Sequence, residues 1–91
     1  MDEQIKLLKV SSKSDINKVA LAIKTEIDTN KKVYIQTVGA GALNQAVKSI
    51  IIARQLVVAN GLDIYCIPVF KNIMIDGKEI VAIRFIVKSQ E

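Results

Sequence analysis

The chain has 91 residues, enough for one domain around one core and too few for a separate catalytic lobe. Its 51% hydrophobic content against 24% charged residues supplies that core and excludes a charge-dominated, disordered chain. A single Cys and no His remove disulfide frameworks, Cys/His zinc sites and the Ser-His and Cys-His couples of hydrolases, so no metal, cofactor or catalysis is expected.

The formal charge of +4 is unevenly spread. Between Asp28 and Asp63 there is no carboxylate, while Lys31, Lys32, Lys48 and Arg54 fall inside that stretch; the remaining residues hold nine basic and nine acidic side chains. Such asymmetry suits either a polyanionic partner or a solubilising surface. The start, Met1-Asp2-Glu3-Gln4, is acidic, and no apolar run approaches the roughly 18 residues of a membrane span, so a cytoplasmic protein without membrane contact is expected.

Ile5 to Val10 reads as a short strand, and Ser11-Ser12-Lys13-Ser14 as the polar turn after it. Ser14 is the expected helix cap, with Asp15 complementing the positive helix end. Ile16, Val19, Ala20, Ile23 and Ile27 recur at helical spacing, which predicts a first helix ending near Asn30. Val33 to Val38 is a β-branched second strand bounded by Gly39-Ala40-Gly41. A second helix is predicted from about Ala42 to Ala59, with Leu43, Ala46, Val47, Ile50, Ala53 and Val57 toward the sheet and Asn60-Gly61 as its stop.

Asp63 to Phe70 and Glu79 to Val87 read as strands joined through the turn signal Asp76-Gly77. The order is β-α-β-α-β-β: a single-domain, two-layer α/β sandwich over residues 1–91, with both helices on one face and the last strand antiparallel to the third. Pro68 places the third strand at an edge of the sheet.

The segments Leu8 to Ser14 (LKVSSKS), Ile35 to Ala53 (IQTVGAGALNQAVKSIIIA), Asp63 to Phe70 (DIYCIPVF) and Ile75 to Gly77 (IDG) resemble the stage V sporulation protein S family in order and spacing. The resemblance spans nearly the whole chain and is most specific at GAGALNQAVK. It implies an Alba-like fold with strand order 1-2-4-3, a homodimer, a role in sporulation or gene regulation, nucleic-acid binding and no catalysis.

In that order strands one, two and three run parallel, and ligands favour the edge shared by their carboxyl ends. The edge collects Ser11, Ser12 and Lys13, then Gly39 to Asn44, then Lys71, Asn72 and Lys78 around the final hairpin. Gly39 and Gly41 open into a helix, where a phosphate can approach backbone amides and Asn44 and Gln45 can add hydrogen bonds; equally, the glycines can serve only a tight turn. No third glycine and no GK[ST] follow, which argues against NAD and ATP.

In the Alba architecture the loop after the first strand carries lysines that meet the phosphate backbone, and Lys13 lies in that region here; otherwise it is a solvated loop charge. Lys48 adds charge to the second helix, and Lys71 and Lys78 flank a hairpin expected to be short. The expected partner is nucleic acid, DNA ahead of RNA, bound through phosphates with weak sequence preference and strong salt dependence.

Tyr34 is expected as partial core or as a lone stacking residue on the sheet face, and Arg84 as a cover for that face or an anion contact. Cys66, among Tyr65, Ile67 and Val69, reads as a small core residue. Ile52 and Leu56 fall beside Gln45 and Ser49, away from the sheet-facing stripe, which suggests a homodimer interface or local packing. An assembly module without nucleic-acid binding is the alternative function, and a small-molecule phosphate binder or enzyme using the glycine loop a third.

Overall fold

The alternation of apolar and polar residues in IKLLKV and KVYIQT and the helical spacing of the segments after them produce β1 (Ile5–Val10), α1 (Ile16–Asp28), β2 (Lys32–Thr37) and α2 (Ala40–Val58). A long hairpin follows, β3 (Asp63–Ile75) and β4 (Lys78–Gln90). The computed structural model describes residues 4–29 and 32–90; the expected end of the first helix, Asn30, and the lysine at Lys31 lie outside the described residues.

The sheet has the order β1-β2-β4-β3, with β1 and β2 parallel and β4 antiparallel to both its neighbours. Pro68 lies on β3, the edge strand, where its missing N–H breaks no inner ladder. Both helices pack on one face. There Val10, Val33, Ile35, Phe85 and Val87 meet Ala20, Ile23 and Ile27 of α1 and Ala46, Ala53 and Val57 of α2 in one core. The small residues Ala42, Ala46, Ser49 and Ala53 form a buried stripe on α2, and Ser49 satisfies its hydroxyl by donating to Gln45 O at 2.7 Å. The opposite sheet face carries no helix.

Several local expectations are corrected. Asp15, not Ser14, caps α1: its carboxylate accepts from Asn17 N and Lys18 N. Ser14 instead closes the preceding turn, its Oγ accepting from Ser11 N at 2.9 Å. The second helix begins two residues earlier than expected, because Gly39 takes the positive φ of 89° as N-cap while Gly41 is already helical. Its end matches the stop signal: Leu62 N donates to Val57 O and Gly61 N to Val58 O, the paired bonds of a Schellman motif around Gly61 at φ 78°.

The final hairpin is long, not short. Asp76 and Gly77, at φ 51° and 77°, make a two-residue turn whose twist lets pairing continue to Ile75 opposite Lys78. Lys71 and Asn72 do not interrupt β3, since both are exposed on an edge strand. On α2, Val47 is 41% exposed and so lies off the sheet-facing stripe. Ile52 and Leu56 are half-buried and packed against the core, so the chain itself covers much of their surface.

Candidate nucleic-acid interface

The turn after β1 is held by its own serines. Ser14 N donates to Ser11 O at 3.1 Å and Lys13 N to Ser11 Oγ at 3.2 Å, leaving Ser12 and Lys13 at an exposed, fixed apex. This turn lies directly against the start of α2: a methyl group on Gly41 would meet Ser12 Cβ at 2.8 Å. Gln45 braces the junction by donating from Nε2 to Ser14 O at 3.0 Å, which gives its amide a structural use.

No side chain among the described residues caps α2, and its first backbone bond runs from Leu43 N to Gly39 O. The amides of Ala40, Gly41 and Ala42 therefore present the positive end of a 19-residue helix beside Ser12. The two glycines answer different needs, Gly39 a backbone conformation and Gly41 a close approach, and together they bring the two turns into contact.

A cleft of about 700 Å³ opens here, lined by Ser11, Ser12, Gly39, Gly41 and Ala42 on one side and by Ile73, Met74 and Ile75 of the hairpin on the other. The structure thus gathers two of the expected segments, with Ile73 to Ile75 of the hairpin in place of the expected Lys71, Asn72 and Lys78. The other expected residues do not line it: Lys13, Asn44 and Lys48 are exposed, and Lys71 and Lys78 belong to the hairpin strands, Lys71 opposite Ala82. Lys9 does line the cleft and was not among the expected site residues. The signal for it was the alternation of β1, which puts Leu7 and Lys9 together on the face away from Val10.

Three groups have shifted acidities. The Arg54 guanidinium, donating to Asp63 at 2.7 and 3.2 Å, holds the Asp63 carboxyl below the usual range, and the N–H of Ile64 acts in the same direction. Asp63 in turn raises Arg54. Burial raises the Cys66 thiol, which fits its inward position on β3 opposite Val87. Among the described residues no group of three His, Cys, Asp or Glu is placed to hold a metal ion, and no helix is long and apolar enough to cross a membrane.

A four-stranded mixed sheet in the order 1-2-4-3 with two helices on one face defines an Alba-like sandwich, a fold generally associated with nucleic-acid binding. The chain belongs to the Stage V sporulation protein S (SpoVS) family, whose model matches residues 6–90.

Proposed function

We propose that this protein is a non-enzymatic nucleic-acid-binding factor of sporulation or gene regulation, acting in the cytoplasm as a homodimer and gripping the phosphate backbone of duplex DNA ahead of RNA. The observation that carries this reading is the junction of Ser12 with Gly41, which sets an uncapped helix N-terminus beside the exposed Lys13. Ser11 and the amides of Gly41 and Ala42 contact phosphate, Asn44 extends the contact along α2, and Lys48, Lys71 and Lys78 contribute field more than geometry.

The homodimer forms on the side of α2 that the chain leaves uncovered. Val47, Ile51 and Val58 recur there at helical spacing and are 41%, 53% and 53% exposed. Arg54, on the same stripe, pairs with Asp63 at the start of β3, so the only cation within the stripe is already engaged. A self-complementary apolar stripe of this kind suits a two-fold axis. Ile52 and Leu56, turned toward the core, support it from behind.

Binding of a fluorescent random duplex across a salt series, beside a Lys13→Glu variant, tests the reading. Affinity is expected to fall with a log–log slope of about −0.9 per phosphate contacted, and the variant to bind with a shallower slope and weaker affinity. The assembly-module alternative draws on the same α2 stripe; it is favoured if the folded protein binds no nucleic acid at low salt and instead retains a salt-insensitive protein partner.

A further inference from the structure

The sheet face without helices is composed unlike an ordinary solvated face. Residues paired in register across a sheet point to the same side, so the pairing defines two complete rows over all four strands. One is Leu7, Tyr34, Ile86 and Ile67; the next is Lys9, Gln36, Arg84 and Val69. Tyr65, two residues before Ile67, stands on the same side opposite Lys88, and Lys71, two residues after Val69, continues the cationic run. Both tyrosines of the chain therefore share one face.

The rim of this face is open: Leu7 is 38% exposed, Ile67 42% and Tyr65 45%. Its charge is one-sided. Glu79 points to the helix side by strand alternation, and the one carboxylate among the described residues in register with the open face, Asp63, is held by Arg54. Arg84 sits in the middle, with no carboxylate partner among the described residues. Its Nη2 donates to Gln36 Oε1 at 2.7 Å, its guanidinium lies 5.5 Å from the centre of the Tyr34 ring, and its Nε is buried with no hydrogen-bond partner among the described residues.

We infer that the open sheet face is a second nucleic-acid surface, specific for single strands: bases lie on Tyr65 and on the apolar row through Tyr34, and phosphates follow the row of Lys9, Arg84 and Lys71. The inference rests on the nucleic-acid reading above and carries its cleft, which Leu7, Lys9 and Gln36 also line, onto the sheet. Charge complementarity selects the occupant. A polyanion neutralises an array of cations in which the one carboxylate among the described residues, Asp63, is already paired, whereas a second copy would set lysines against lysines. The flat π and apolar area selects the strandedness, because a duplex keeps its bases stacked and hidden while a single strand offers them. Gln36 and Tyr34 hold Arg84 in place in the absence of ligand, so its charge is pre-positioned.

The test compares a short oligothymidine and a duplex of the same length on the full chain, with Tyr65→Ala, Ile67→Glu and Lys13→Glu. Tyr65→Ala and Ile67→Glu should each weaken single-strand binding by about ten-fold, the scale of one lost base stack, and leave duplex binding within about two-fold. Because the chain has two tyrosines and no Trp, stacking also predicts quenching of tyrosine emission by the single strand. The conservative Tyr65→Phe should retain affinity. Single-strand binding that is lost with Lys13→Glu and untouched by the face variants overturns the inference while leaving the turn site intact. Loss of self-association in Ile67→Glu overturns it in favour of a dimer face. Failure of both nucleic acids to bind overturns the underlying nucleic-acid reading as well.

Discussion

A methyl group added at Gly39 would meet no atom within 4 Å, whereas one added at Gly41 would overlap Ser12, so the same substitution probes two different physical constraints. Gly39 lies at φ 89° and ψ 161°, a region essentially reserved for glycine, and Gly39→Ala should cost about 1–3 kcal/mol through backbone strain. Gly41→Ala should cost a similar amount, about 1–3 kcal/mol, through overpacking against the turn. Urea denaturation separates them: in a Ser12→Gly background the penalty of Gly41→Ala should shrink and that of Gly39→Ala should not. The GAG motif was visible in the sequence, but which glycine served the turn was not, because one requirement is torsional and the other arises only when two distant turns meet.

Asp63 gives a pH signature at the same scale. Its carboxyl is held low in the folded chain by Arg54, so its contribution to stability is complete above the ordinary carboxylate value of about 3.9 and is lost as pH falls through the lower folded value. Removing the partner with Arg54→Ala should return Asp63 toward that ordinary value in an NMR titration. Thermal melts of the two proteins should differ most near neutral pH and converge in acid.

At the level of elements, the strands and helices followed from periodicity alone, while their ends depended on which of two neighbouring polar residues won a hydrogen bond. Ser14 and Asp15 both suit a cap; the turn takes Ser14 and the helix takes Asp15. Asp15→Ala should therefore cost about 1 kcal/mol of stability, the usual value of a lost N-cap, and Ser14→Ala should disturb the amide of Ser11 with little loss of helix. Chemical denaturation together with amide exchange at Asn17 and Lys18 distinguishes these outcomes. The hairpin's length was missed for a related reason: Lys71 and Asn72 look like the end of a strand in sequence, yet an exposed edge accepts them.

For the whole molecule, a shortest dimension of 18 Å follows from a two-layer sandwich with one sheet face uncovered. The two layers divide the proposed labour: the outer side of α2 for a second copy, the turn edge for duplex phosphates, the open sheet for single strands. The sequence indicated that α2 carries spare apolar residues but selected Ile52 and Leu56, since a helical wheel does not show where α1 packs. Ile51→Glu should convert a dimer to a folded monomer in sedimentation equilibrium, whereas Ile52→Glu should lower the melting temperature by charging a half-buried site. That Tyr34 and Tyr65 share one sheet face was equally hidden, because it depends on the register of β4 between them.

Amide chemical-shift mapping of the protein against a random duplex is the measurement that decides whether the junction of the two turns holds phosphate as proposed. The largest shifts should fall on residues 11–13 and 40–42, grow at low salt and shrink in Lys13→Glu. Shifts confined to the outer side of α2, or none at a salt concentration where the duplex is bound, would contradict the proposal.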